Sequence, residues 1–200
     1  FGIRYDYEHT SNDFLFYKET DGGSEQMDAF DSRLKFSQVT PKIALQYMFP
    51  STGMLYATVT KGYKTGGFNT SFDREEDRTF RPETSWNYEF GAKHPFLDNR
   101  LNAEFCFFWI DWNQQIYQML ATQNGQFLRN AGRSESKGVE VSLQGNPVNG
   151  LMVQVNYGFT HATFKDYKDE RRGIDYSGNF LPMVPRHTFA VGADYTIPNP

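Results

Sequence analysis

The stretch Lys137-Gly138-Val139-Glu140-Val141-Ser142-Leu143-Gln144, resumed after a break by Leu151-Met152-Val153-Gln154-Val155-Asn156-Tyr157-Gly158-Phe159-Thr160, alternates apolar and polar residues almost one for one. In extended backbone, successive side chains leave on opposite faces, so this period of two predicts a pair of strands, each with one apolar and one polar face. The break itself, Asn146-Pro147-Val148-Asn149-Gly150, is built of residues that favour tight turns, which makes the pair a hairpin. Working outward, the same alternation returns in Trp86-Tyr88-Phe90-Ala92, in Leu101-Ala103-Phe105-Phe107-Trp109, in Ile43-Leu45-Tyr47-Phe49 and in Phe189-Val191-Ala193-Tyr195-Ile197. Helical periodicity is weak throughout.

Composition narrows the class. The 200 residues carry 20 Lys and Arg against 24 Asp and Glu, a net charge of -4, with 38% hydrophobic and 17% aromatic residues. The longest apolar run, Phe105 to Ile110, is far short of the roughly 20 residues a membrane-crossing helix needs. The aromatic content and small net charge argue against disorder, and the mild acidity argues against a nucleic-acid partner. Cys106 has no second cysteine to pair with, which leaves the redox compartment open. No Cys/His cluster has metal-ligand spacing, and His9, His94, His161 and His187 are isolated from one another, so neither a metal nor a cofactor is expected. The opening residues Phe1-Gly2-Ile3-Arg4-Tyr5 carry no leader signal and read as a mature or truncated start.

Eight main strands are expected, at about 1–9, 36–49, 53–64, 81–94, 100–117, 133–145, 150–164 and 184–197. Short connections at 50–53, 97–100, 146–150 and 198–200 alternate with long polar ones at 9–35, 64–80, 119–133 and 165–185. Several strands are about twice the usual 5–6 residues. That length suits a membrane barrel, whose strands cross the hydrocarbon in about 9–11 tilted residues, and tight turns opposite long loops are the habit of outer-membrane barrels. Alternation does not by itself separate a membrane barrel from a soluble sandwich or barrel, in which the apolar face points inward. The aromatics Tyr47, Phe49, Trp86, Trp109, Trp112, Tyr157, Phe159 and Tyr195 lie near strand ends, where they would form interfacial girdles. A mean hydropathy of -0.65 is no objection, because it averages a lipid face with a wet one.

Five blocks then resemble, in order, the barrel of TonB-dependent outer-membrane receptors of the iron-complex type. They are Thr40 to Tyr47 with Leu55 to Asn69, containing Gly62-Tyr63-Lys64-Thr65-Gly66-Gly67-Phe68-Asn69; Phe80 to Lys93; Phe107 to Gln115; Asn130-Ala131-Gly132 with Lys137 to Glu140; and Gly178 to Pro182 with Pro185 to Thr188. The resemblance implies an all-β, antiparallel up-and-down transmembrane barrel of 22 strands filled by an N-terminal plug. It further implies a place in the outer membrane of a Gram-negative bacterium, contact with its lipid, energy coupling through TonB, and import of a scarce large nutrient such as a ferric siderophore. Residues 1–200 supply about eight of those strands and no plug or coupling box, so they are expected to be an internal or late segment of the barrel domain.

The remaining candidates are weighed residue by residue. Gly62, Gly66 and Gly67 suit backbone crowding where a strand bends into its loop. By parity Glu83, Glu89 and Glu140 face the lumen, where hydration or pairing within the wall explains them better than catalysis, since no activated nucleophile is near. An enzyme is not expected. The charged loops around Arg74, Arg78, Arg171 and Arg172 are solvated segments whose guanidinium groups match carboxylates bidentately, which makes these four the candidate contacts for an anionic siderophore. Two other readings stay open: a small eight-stranded outer-membrane barrel with a structural or adhesive role, and a soluble carbohydrate-binding or lipocalin-like β protein.

Overall fold

The computed structural model describes the backbone of all residues except 21, 51–52, 73, 123–124, 170–171 and 198–200, and the side chains of those described except 16, 18, 20, 25, 27, 28, 117–122 and 125. In chain order the strands are β1 (Gly2–Thr20), β2 (Gly23–Met48), β3 (Met54–Lys64), β4 (Gly67–Phe68), β5 (Thr79–Phe80), β6 (Glu83–Phe96), β7 (Leu101–Asn113), β8 (Ile116–Thr122), β9 (Gly125–Asn130), β10 (Arg133–Val148), β11 (Leu151–Asp166), β12 (Lys168–Asp169), β13 (Ile174–Asp175) and β14 (His187–Tyr195). Eight of them form one antiparallel meander in the order β1-β2-β3-β6-β7-β10-β11-β14, and the rest pair as small ribbons, β4 with β5, β8 with β9 and β12 with β13, inside the long connections.

Register carries the alternation across the whole sheet. One row runs Leu45, Ala57, Phe90, Phe107, Val139, Phe159, and the next runs Tyr47, Leu55, Ala92, Phe105, Val141, Tyr157, Phe189. The intervening row on the other face is Tyr56, Gly91, Cys106, Glu140, Gly158, Thr188. A slip of one residue in any strand would move its apolar set to the polar face, so the pattern itself fixes the pairing. Among the described residues no second layer covers the apolar face: Leu45 is 70% exposed, Phe90 51%, Phe107 44% and Phe189 70%. The buried apolar residues among those described, Phe127, Ala131, Ala162, Phe164 and Tyr167, all lie at the long-loop end. A lipocalin-like protein would bury its apolar rows inside, and that reading is set aside.

The closed eight-stranded alternative also fails. Among the described residues β1 pairs only with β2 and β14 only with β11, so the sheet is open at both edges. The two short turns that fall within the described residues lie where expected. Val148 pairs with Leu151 across Asn149-Gly150, with Gly150 at φ +82°, a conformation glycine adopts freely. The 97–100 turn has Leu97, Asp98 and Asn99 at φ 53°, 54° and 67°. The turn expected at 50–53 falls partly, and the one at 198–200 wholly, outside the described residues.

Two expectations need correction. Residues 9–35 do not form a loop: β1 and β2 remain paired from Gly2–Lys42 to Thr20–Gly23, interrupted by one irregularity at Phe16/Tyr17. A two-stranded ribbon satisfies its backbone hydrogen bonds without an apolar stripe, so hydropathy hid it; the β-formers Phe14, Leu15, Phe16 and Tyr17 ahead of Gly22-Gly23 are its sequence signal. Trp112 does not join the outer girdle. It pairs with Ser85 and Ser134, on the polar face, one residue out of phase with Trp109.

Candidate functional site

The long connections pack together at one end of the sheet, and two asparagines tie them. Asn69 is 4% exposed; its Nδ2 donates to the Asp77 and Leu128 carbonyls at 2.7 and 2.9 Å, and its Oδ1 accepts from the Leu128 amide at 2.8 Å. Asn130 repeats the device, donating to the Arg81 and Gln114 carbonyls and accepting from the Arg81 amide, each at 2.8 Å. An asparagine amide offers two donors and an acceptor in one plane, so each side chain stands in for a missing strand of backbone. Together they clamp the 65–82 connection to the β8–β9 hairpin. Arg129 adds a contact of 3.5 Å to the buried Asp77 carboxylate, and Glu83 accepts from the Ile116 amide at 2.6 Å.

Glycine makes the close approach possible. A Cβ on Gly66 would meet the Phe80 carbonyl oxygen and, at 2.8 Å, the Phe36 ring, which explains why the strand end there is Gly66-Gly67. The 165–185 connection builds a core of its own, in which Ala131, Phe164 and Tyr167 are buried with Tyr176 and Leu181 packed against them. Tyr167 stacks on Tyr176 at 5.3 Å, and the Phe164 and Leu181 amides bond to the Asn179 and Ala162 carbonyls at 3.0 Å.

The three candidate arginines among the described residues are dispersed over this cap. Arg74 is exposed and pairs with Glu76 at 3.2 Å. Arg78 is largely covered: it pairs with Glu75 at 2.6 Å and its guanidinium lies 4.0 Å from the Phe30 ring centre and 5.7 Å from that of Phe72, fastening the β1–β2 ribbon to the cap. Arg172 is exposed on another loop, with Nε 3.8 Å from the buried Asp169 carboxylate. Arg171 lies outside the described residues.

Below the cap, the polar face holds a recess of about 620 Å³ whose lining includes Tyr56, Glu89, Glu104, Cys106 and Glu140. Glu89 accepts from Asn87 at 2.5 Å and Thr58 at 3.4 Å, and Lys93 pairs with Glu104 at 2.7 Å. This is a wall of acceptors and paired charges. Among the described residues no group of three or more His, Cys, Asp or Glu side chains is arranged to hold a metal.

The family model for the TonB dependent receptor-like β-barrel matches residues 1–200. The chain belongs to that family. Its members are outer-membrane β-barrels of Gram-negative bacteria, so the apolar rows of the sheet face lipid and the recess faces the lumen. The pesticin receptor of Yersinia pestis is 26% identical over 189 residues, covering 93% of this chain and 26% of its own length. Among solved structures, the ferric yersiniabactin uptake receptor FyuA from Yersinia pestis superposes with a TM-score of 0.74 at 20% identity, over 98% of this chain and 28% of that one. The copper transporter OprC superposes with a TM-score of 0.68 at 12% identity, over 96% of this chain and 29% of that one. The chain therefore spans between 14% and 26% of the length of the curated relatives it matches, and the likenesses to solved structures speak for the fold alone.

The asparagine clamps give a role to Asn69, which ends one family block, and to Asn130, which opens another. Phe68-Asn69 and Asn130-Ala131-Gly132 are legible as motifs, yet their role is not, because the partner of each is a backbone group on another loop. The signal available was an asparagine at a strand end in each block, Asn69 just after β4 and Asn130 closing β9, where it bridges backbone rather than capping its own turn.

Proposed function

We propose that residues 1–200 form part of the barrel wall and external cap of a TonB-dependent transporter that imports a ferric siderophore. The observation that carries this is the family match along the whole chain, joined to a wet, charge-lined polar face beneath loops that are packed and cross-clamped. Such a cap presents fixed groups to a large ligand at low ordering cost. The ferric yersiniabactin uptake receptor FyuA and, among sequence relatives, the ferric-pyoverdine M114 receptor PbuA of Pseudomonas sp. (strain M114), 24% identical over 164 residues, name this kind of cargo, while OprC is a copper transporter with a similar wall, so the cargo class rests on the sequence relatives.

In this reading the plug and the segment that engages TonB are encoded outside these residues, and the wall supplies a lumen in which no bond is made or broken. Arg74 and Arg172, exposed on two cap loops, are the contacts for an anionic ligand; Arg78 acts by holding the ribbon in place. The test is uptake of radiolabelled ferric siderophores by a strain lacking the full-length gene. Loss of uptake for one siderophore, restored by the gene and dependent on TonB, is expected. Undiminished uptake of every siderophore offered, with uptake of another nutrient lost, would overturn the cargo assignment.

A further inference from the structure

The lipid-facing side of the wall carries a cationic cluster, on the face opposite the lumen. Trp86, Tyr88 and Trp109 form a ladder on that face, with ring centres 6.4 and 5.1 Å apart. Register sets charged residues on the loop side of it: Lys61 pairs with Trp86, Trp86 with Asp111, Asp111 with Glu135, and Trp109 with Lys137. Lys61 Nζ lies 5.9 Å from the Trp86 ring centre. Glu135 Oε1 receives both Lys137 Nζ at 3.1 Å and Lys165 Nζ at 3.0 Å, and its Oε2 accepts from the Trp109 indole at 3.1 Å. Arg133 reaches both oxygens of Asp111, at 3.1 and 3.0 Å.

The arrangement is asymmetric in charge and in depth. Four cations stand over two carboxylates, and the Glu135 side chain is 14% exposed where those of Lys137 and Lys165 are 49% and 46%. Two ammonium groups gathered on one carboxylate oxygen keep most of their N–H donors free and repel each other, a state that an added anion relieves. Trp and Tyr ladders mark the level of membrane headgroups, so the anion within reach is one fixed to a lipid. A soluble ligand entering the lumen passes the opposite face.

We propose that Arg133, Lys137 and Lys165 bind a phosphate group on the headgroup of an outer-leaflet lipid, with Glu135 acting as the positioning residue that gathers Lys137 and Lys165. Phosphate offers three acceptor oxygens to the outward donors, and the lipid's chains lie along the apolar rows below.

The test uses the full-length receptor in neutral detergent, titrated with a diphosphorylated disaccharide glycolipid. Bound lipid is counted by native mass spectrometry, and affinity is read from tryptophan fluorescence. The double variant Lys137→Gln, Lys165→Gln is expected to bind roughly tenfold to thirtyfold more weakly, whereas Lys137→Arg, Lys165→Arg retains binding. On the unaltered receptor the same glycolipid stripped of phosphate is expected to lose a comparable factor, which needs no variant to fold. Millimolar inorganic phosphate is expected not to displace the lipid. Equal affinity for the dephosphorylated glycolipid, equal affinity of the Gln variant, or displacement by inorganic phosphate would each overturn the proposal.

Discussion

The β6–β7–β10–β11 wall and the cap above it are stabilised by different physics within one chain. Among the described residues the wall has no buried apolar core: Phe90, Phe105, Phe107 and Trp109 stand exposed in rows, and its order comes from long ladders, which give 13 residue pairs between β6 and β7 alone. The cap has the opposite make-up. Its strands are short, but it holds the buried Phe127, Ala131, Phe164 and Tyr167 and the doubly clamped Asn69 and Asn130. A wall solvated by lipid needs no protein layer on its apolar face, while loops exposed to water must build a small globular core to stay in place.

If that division is right, variants in the two regions should fail in different ways. Phe164→Ala removes a buried ring from the cap and should cost about 3–5 kcal/mol of local stability. It should speed amide hydrogen exchange over 163–181 in the full-length receptor while leaving the β7–β10 ladder protected. Equal acceleration in both regions would merge them into one cooperative unit. Val141→Arg, in the lipid-facing row between Phe105 and Tyr157, should cost about 2–4 kcal/mol in folding from urea into micelles and lower the yield in outer-membrane fractions. It should leave cap exchange unchanged in the protein that does insert. Asn69→Ala strands the buried backbone groups of Asp77 and Leu128 and should cost about 1–3 kcal/mol, read as faster proteolysis within the β8–β9 hairpin. Lys93→Gln breaks an exposed pair with Glu104 on the wet face and should change stability by no more than about 1 kcal/mol.

The wall was legible in the sequence because lipid on one side and water on the other impose a strict period of two. Val139-Glu140-Val141-Ser142 states the pairing, the face and the register together. The cap was much less so, since its contacts join residues far apart in sequence: Asn69 to Leu128, Asn130 to Arg81, Ala131 to Phe164. The β1–β2 ribbon was missed because paired backbone needs no apolar signature. Trp112 was misplaced because an aromatic residue near a strand end names no face until parity is counted from Trp109. Charge and loop position marked all four arginines alike as solvated; Arg74 and Arg172 are exposed, but nothing in the sequence revealed that Phe30 and Phe72 cover Arg78.

The sidedness of the wall is tested most directly by a spin-label scan of Val139→Cys through Gln144→Cys, one at a time, in full-length receptor carrying Cys106→Ser and held in outer-membrane lipid. Relaxation by oxygen reports contact with lipid, and relaxation by a soluble nickel chelate reports contact with water. Labels at 139, 141 and 143 are predicted to favour oxygen, and labels at 140, 142 and 144 the chelate. A label at 141 shielded from both reagents, or the same response at odd and even positions, would contradict a single-layer wall between lipid and lumen.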